Sequence, residues 1–127
     1  CWWPERGPSM RDSIALNKTI ELMAQANAPL AKKSFVDKLN LTVREINVEL
    51  SYISGGHTRD NIVAWISEYR VLFAGCMLKG PNVKSIGNTS DAELTKYPKT
   101  LDTMRQRYGE AVIVVPGHGE PGGLELT

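Results

Sequence analysis

The sequence predicts an α/β fold that contains a helix, four strands, a second helix and a last strand, in that order. Apolar runs and alternating apolar and polar residues mark the four strands, helical spacing marks two segments, and a β-branched run marks the last strand. With 127 residues, the chain can bury enough surface for a real core. We therefore expect a single domain over residues 1–127, without a linker or an internal repeat.

The N-terminal part of the chain predicts an irregular segment followed by a helix. Residues 1–12 contain adjacent tryptophans, two prolines and a glycine, a composition that does not form a regular element. Trp2 and Trp3 are costly to expose, so we expect them to cover an apolar surface. Residues 13–26 then show helical spacing of apolar residues. Because the chain begins with Cys1 and not with methionine, we expect that it was processed, trimmed or cut from something larger.

Residues 39–52 predict a hairpin with one face on a core and one face in water. The strands at 39–43 and 46–52 both alternate between apolar and polar residues, and Arg44 and Glu45 lie between them. The predicted inward residues are Leu39, Leu41, Val43, Ile46, Val48, Leu50 and Tyr52. The predicted outward residues are Asn40, Thr42, Asn47, Glu49 and Ser51.

A second hairpin is predicted from two apolar runs at 62–66 and 71–75, separated by four polar residues. His57 lies in a glycine turn before the first run, and Cys76 lies in a glycine turn after the second. The outer ends of a hairpin are close together, so His57 and Cys76 are expected to meet at one sheet edge. An imidazole and a thiolate there make half of a zinc site. The alternative is a polar turn histidine and a buried structural cysteine.

The last third of the chain predicts a helix and a strand that leads to a second histidine. Residues 77–89 are irregular, Pro98 suits the first turn of a helix, and Gly109 ends that helix. The run at 111–115 predicts a strand covered on both faces, and it leads into a glycine turn that contains His118. Both histidines and one of the two cysteines therefore lie in glycine-flanked turns at strand ends.

Charge and composition give no support to several classes of function. The chain has 15 basic and 14 acidic residues and a net charge of +1, which is no basis for binding nucleic acid or an acidic membrane. Two cysteines far apart in sequence do not make a disulfide framework. We find no run of about 18 apolar residues that could span a membrane, and no signal peptide is visible.

Five stretches carry a resemblance to a known family: GGHTRDNIVAWI, VLFAGCMLK, SIGNTSDAEL, YPKTLD and VVPGHGEPGG. In this order and with similar spacing, they resemble the C-terminal half of a class B1 metallo-β-lactamase, over about residues 19–123. The family fold is an αββα sandwich with zinc at the edge of the two sheets. The resemblance therefore implies half of that sandwich, a mixed sheet with helices on one face.

The resemblance also implies roles for five residues. His57 matches the third histidine of a three-histidine zinc site, and Cys76 and His118 match two of the three ligands of a second site. Lys79 matches the lysine that pairs with the substrate carboxylate, for which a point charge is suited. Asn88 matches the asparagine near the β-lactam carbonyl. The alternatives are a solvated surface lysine at Lys79 and a turn residue that caps the next helix at Asn88.

The chain departs from the family because it has no HxHxD motif. Three of the family's six metal ligands are then absent. One sheet and one helix layer of the sandwich are absent as well. We expect a truncated, zinc-dependent β-lactam hydrolase that is weakly active or inactive by itself and holds at most one zinc weakly. The alternative is a non-catalytic oligomeric fragment. A different hydrolase of the superfamily is a third possibility, against which Lys79 and Asn88 argue.

The missing layer also leads to expectations about partners and location. One apolar face of the sheet is expected to be open, and two copies packing through it make a closed homodimer. By resemblance, the substrate is a β-lactam, the location is periplasmic or secreted, and the role is antibiotic resistance.

Overall fold

The computed structural model describes residues 21–22, 24–26 and 35–127. The chain divides into two compact units, of which the larger contains Asp37–Thr127 and the smaller is Trp3–Val36. Residues 21–22 and 24–25 are helical, in agreement with the helix predicted at 13–26. The rest of that helix and the segment 1–12, including Trp2 and Trp3, lie outside the described residues. The single domain over 1–127 stays a prediction.

The larger unit is built on a five-stranded mixed sheet in the order β1-β2-β3-β4-β5. The first four strands pair antiparallel, and β5 pairs parallel to β4, so the helix α1 lies within the crossover between them. The elements are β1 (Lys38–Val43), β2 (Ile46–Tyr52), β3 (Ile62–Ile66), β4 (Val71–Lys79), α1 (Tyr97–Arg107) and β5 (Ile113–His118), with 3-10 turns at Ser67–Tyr69 and Leu124–Leu126. This confirms the predicted α/β class and mixed sheet.

One face of the sheet, which we call the inner face, carries the core. Ser51 pairs with Val63, Trp65 pairs with Leu72, and Leu72 pairs with Val114, so these residues share one face of β2–β5. The helix α1 contributes to the core on this side, and the ring of Tyr108 directly after it packs against that of Trp65, with centroids 5.5 Å apart and planes tilted by 46°. The buried core residues are Val63, Leu72, Ala74, Met77, Leu78, Met104, Tyr108, Ala111 and Val114.

The opposite face, which we call the outer face, is apolar across the whole sheet. Leu39 pairs with Leu50, Leu50 with Ala64, Ala64 with Phe73 and Phe73 with Val115, so one apolar row crosses all the strands. Alternation along the strands adds further apolar residues to this face. Its exposed large side chains include Val43, Phe73 and Ile113.

The predicted orientation of β2 is wrong in one respect. Ser51, predicted to face water, is 0% exposed. Its Oγ donates to Glu49 Oε1 at 2.9 Å and accepts a hydrogen bond from Arg107 Nη2 at 3.2 Å. The predicted inward residues of β2 instead lie on the outer face and are half-buried: Ile46, Val48, Leu50 and Tyr52. Alternation separates two faces of a strand, but which face is covered depends on where α1 packs.

The two strands that carry candidate ligands differ from the prediction. β4 is longer than predicted, and β5 begins and ends later in the sequence. β4 does not end at Gly75: Gly75 has a φ of +55° and lies at a register shift against β5, and the strand continues through Cys76 to Lys79. β5 runs from Ile113 to His118, so His118 ends a strand and does not lie in a turn beyond it. Ile113 is 44% exposed, so the prediction that this strand is covered on both faces is wrong.

The helix predicted around Pro98 is confirmed as α1. Pro98 occupies the first turn, where its missing N–H costs nothing. Met104 and the following Tyr108 are fully buried, and Leu101 packs against the same core, as the helical spacing predicts. Among the described residues, no helix has the length and hydropathy needed to cross a membrane.

Glu49 is the centre of a polar cluster on the inner face. Besides Ser51, its carboxylate accepts a hydrogen bond from Arg107 Nη2 at 3.2 Å and forms an ion pair with Lys38. Burial by itself raises the pKa of Glu49, but the hydrogen bonds of Lys38 and Ser51 and the charges of Lys38 and Arg107 outweigh it and lower the pKa below its usual value. The carboxylate thus links β1, β2 and the end of α1.

We expect the unfolding free energy of the Glu49→Gln variant to depend less on pH in the acidic range than that of the parent chain. The pKa of Glu49 is lower in the folded than in the unfolded chain, so its stabilisation is present above the unfolded pKa and is lost as the pH falls through the folded pKa. The loss at pH 7 should be about 1–2 kcal/mol of unfolding free energy. Urea unfolding at several pH values between neutral and acidic measures it, with Glu45→Gln in the exposed hairpin turn as the matched control. A parent and a Glu49→Gln variant with parallel pH profiles would contradict this prediction.

Candidate metal centre

The turn that carries His57 packs closely against its neighbours at both of its glycines. A Cβ on Gly55 would overlap the carboxylate of Glu93, and a Cβ on Gly56 would lie 2.6 Å from Met77 Sδ. Both glycines are buried. The glycine pair therefore packs closely against the side chains of Glu93 and Met77.

Three contacts from other elements fix the backbone of this turn. Thr100 Oγ1 of α1 donates to Gly55 O at 2.6 Å, and the backbone N–H of Glu93 donates to Gly56 O at 2.8 Å. The N–H of His57 points to Met77 Sδ of β4, with N and S 3.4 Å apart. The position of His57 is thus set by the loop before α1, by α1 itself and by β4.

The electrostatic surroundings of His57 favour its neutral form. Burial lowers the pKa of His57, the positive charges of Lys79 and His118 lower it further, and Asp91 acts in the opposite direction. The charges of Lys79, His118 and Asp91 therefore all act on the imidazole of His57. The neutral imidazole is the form that binds a metal ion.

Cys76 and His118 are brought together by the parallel pairing of β4 and β5. A Cβ on Gly117 would lie 2.6 Å from the backbone nitrogen of Cys76, so the strands can approach this closely only with glycine there. The backbone N–H of Gly80 donates to His118 O at 2.8 Å and ties the two strand ends together. As a result, Cys76 Sγ lies 3.9 Å from His118 Nε2.

This separation fits two ligands of one zinc ion. With tetrahedral geometry and usual Zn–S and Zn–N bond lengths, the sulfur and nitrogen lie about 3.6 Å apart. Thiolate and imidazole are also the donor types that zinc prefers. Within the part of the chain that the structure describes, no group of three His, Cys, Asp or Glu side chains is arranged to hold a metal ion. The structure thus forms a pair, and His57 as a further ligand stays a prediction.

Of the two predicted substrate residues, Lys79 lies next to this pair. Lys79 pairs with His118 across β4 and β5, and a Cβ on Gly87 would lie 3.9 Å from Lys79 Nζ, so the loop that leads to Asn88 passes the ammonium group. Asn88 is exposed, and its Oδ1 accepts the N–H of Ser90 at 2.9 Å. That is the local role of a turn residue. Contact of Lys79 or Asn88 with a substrate stays a prediction.

Tyr97 and Thr100 are site residues that the sequence analysis did not identify. Tyr97 OH donates to Met77 O at 2.6 Å, directly after Cys76. Burial raises the pKa of Tyr97, and the charge of Cys76 adds to the increase. The available signal was their spacing of three residues in the first turn of the predicted helix, on the side of Leu101 and Met104.

Comparisons with known proteins agree with the fold. No protein-family model matches the chain. A type 2 metallo-β-lactamase of Bacteroides fragilis is 43% identical over 114 residues, which are 90% of this chain and 46% of that protein. One of Pseudomonas aeruginosa is 37% identical over 90% of this chain and 45% of that protein. The chain is homologous to type 2 metallo-β-lactamases. It spans about half the length of the curated relatives that it matches.

Solved structures of metallo-β-lactamases share the fold. The crystal structure of the DIM-1 metallo-β-lactamase has a TM-score of 0.71 and 32% identity, and the match covers 86% of this chain and 50% of that one. A metallo-β-lactamase from Pontibacter korlensis has a TM-score of 0.73 and 28% identity, with 98% and 62% covered. The predicted resemblance to class B1 metallo-β-lactamases and to half of their fold is therefore confirmed.

Proposed function

We propose that this chain carries one part of the zinc and substrate site of a metallo-β-lactamase, whose reaction is hydrolysis of the β-lactam amide. The observation that carries the proposal is the 3.9 Å approach of Cys76 Sγ to His118 Nε2 at the ends of paired strands. Homology to type 2 metallo-β-lactamases gives this pair its chemical context.

In this proposal each residue has one task. Cys76 and His118 hold zinc as thiolate and imidazole, and neutral His57 approaches from the neighbouring turn. When bound, zinc supplies the Lewis acidity that makes water a nucleophile near neutral pH. Lys79 pairs with the carboxylate of a β-lactam, while Asn88 lies near its carbonyl. The electrostatic effect of Lys79 on His57 supports a shared site.

By itself the chain is proposed to be weakly active or inactive. The sequence contains two histidines in total and no HxHxD motif, and the described residues form no three-ligand group. An incomplete ligand set binds metal weakly and does not fix the nucleophile beside the substrate carbonyl. By homology to β-lactamases, we propose that the protein is periplasmic or secreted. On the same basis, we propose a role in antibiotic resistance.

The alternative function is a non-catalytic oligomeric fragment that binds at most one zinc. The apolar row on the outer face favours it, because such a row is stable when covered. We propose a second copy of this chain as the covering partner, which restores sheet-on-sheet packing with twofold symmetry. The outer row from Leu39 to Val115 contains no charged residue that would oppose this contact.

We expect at most one zinc per chain after dialysis against micromolar zinc, and we expect a chelator to remove it readily. The reason is that a thiolate and an imidazole without a carboxylate ligand make an incomplete site. Elemental analysis measures the zinc content. Cys76→Ser should lose the bound zinc, whereas Cys1→Ser should keep it. Two tightly held zinc ions per chain would show that the ligand set is complete and that the proposal is wrong.

A further inference from the structure

We propose that α1 positions the two ligand segments relative to each other through two side chains in its first turn, Tyr97 and Thr100. Thr100 contacts the turn that carries His57, and Tyr97 contacts the strand that carries Cys76. The inference rests on the proposed function, since it assigns these residues a role in metal binding.

Thr100 is the contact to the histidine turn. It is 1% exposed, and its Oγ1 lies 2.6 Å from Gly55 O and 3.1 Å from Lys96 O of its own helix. A hydroxyl has one proton, and the shorter distance assigns it mainly to Gly55 O. Because Gly55 is buried, removal of this hydroxyl leaves its carbonyl without a donor among the described residues, at the cost of an unpaired buried polar group.

Tyr97 is the contact to the cysteine strand. Its OH donates to Met77 O at 2.6 Å, so it fixes the backbone directly after Cys76. Met77 also receives the N–H of His57 on its sulfur. The residue after Cys76 is therefore held by α1 through its carbonyl and by the histidine turn through its side chain.

These contacts form a closed circuit. It runs from Thr100 to Gly55, along the turn to His57, across to Met77, and through Tyr97 back to α1. Each of the three segments contacts the other two, so a change in the separation of His57 and Cys76 strains or breaks at least one of these contacts. Removal of a group that hydrogen-bonds to a metal ligand typically lowers metal affinity by about 10- to 100-fold. We expect an effect near the lower end of that range here, because Tyr97 and Thr100 bond to the backbone beside the ligands.

The chain offers a matched control on the same helix. Thr103 Oγ1 also donates to a backbone carbonyl, that of Lys99 at 2.9 Å, but this bond stays within α1. Thr103→Val therefore repeats the chemical change of Thr100→Val without touching the circuit. Thr100→Ser keeps the hydroxyl and serves as the conservative variant.

The first measurement is metal binding by the full chain, with Co²⁺ as a spectroscopic probe and Zn²⁺ by chelator competition. We expect Thr100→Val and Tyr97→Phe to weaken zinc affinity by about 10-fold or more and to reduce the thiolate–cobalt absorption band from Cys76. Thr100→Ser and Thr103→Val should keep both. Lower thermal stability with unchanged affinity and band would overturn the inference, as would an equal loss in Thr103→Val.

The second measurement is amide hydrogen exchange of the metal-free chain, which separates this inference from the proposed function. Thr100→Val should speed exchange at Gly56 and His57 and leave the β1–β2 hairpin unchanged. If the parent chain binds no cobalt, the proposed function fails, and exchange alone decides the positioning role. Unchanged exchange at Gly56 and His57 in Thr100→Val would overturn that role.

Discussion

The zinc-loaded chain is expected to hydrolyse nitrocefin or a carbapenem many orders of magnitude more slowly than an intact class B1 metallo-β-lactamase. Attack on the amide requires activated water held beside the carbonyl, and the family site for it takes three histidines, whereas this sequence contains two in total. Binding a substrate through Lys79 without this arrangement lowers no barrier. A misplaced nucleophile also forfeits most of the gain from positioning, which can reach about 7–11 kcal/mol.

The assay follows turnover in excess zinc for the parent chain, His57→Ala and Cys76→Ser. If the parent turns over several times per second and both substitutions abolish the activity, the missing ligands come from a second copy and the inactive interpretation is wrong. Activity that survives both substitutions would point to a contaminating enzyme, which a preparation from a vector control identifies.

The second large effect is expected for association through the outer face. We expect light scattering at micromolar concentration to give a molar mass that is twice the monomer mass of 14.0 kDa. Phe73 lies inside the apolar row, between Ala64 and Val115, and is 43% exposed, so its side chain would be covered in the dimer. Phe73→Asp places an unpaired carboxylate there, at a cost of several kcal/mol, and should raise the dissociation constant by roughly 100-fold or more.

Leu94→Asp is the matched control for this prediction. Leu94 is 55% exposed, more than Phe73, but it lies in the loop before α1 and not on the sheet. The Leu94→Asp substitution should therefore leave the dimer intact. A parent chain that is monomeric over the whole concentration range would remove the dimer proposal, because the outer face would then be covered from within the chain or remain in water.

The local elements could be predicted from the sequence because their signals are local. Alternation in residues 39–52 gave the first hairpin with its β2 bounds, and Pro98 with its following apolar spacing gave α1. The sidedness of β2 could not be predicted in this way. Ser51 is buried because α1 packs on its face, and Glu49 and Arg107, the latter 56 residues away in sequence, satisfy its hydroxyl there.

The candidate site shows the same division. The glycine turns and strand ends predicted that His57, Cys76 and His118 gather at one edge, and the structure brings Cys76 and His118 together. The extension of β4 through Cys76 depends on pairing with β5, which no local pattern contains. The spacing of Tyr97 and Thr100 places both on the buried side of α1, but it does not show that their hydroxyls bond to the backbone carbonyls of Met77 and Gly55.

The parallel pairing of β4 and β5 also has a consequence for the order of folding. Cys76 and His118 are 42 residues apart, and their strands pair only after the intervening loop and α1 have closed the crossover. The β1–β4 meander needs only short loops, whose closure costs less entropy and is faster. The thiolate and imidazole therefore meet late, after the hairpins exist. A metal ion that joins them stabilises the last, most non-local step and not the nucleus, so it should slow unfolding more than it speeds folding.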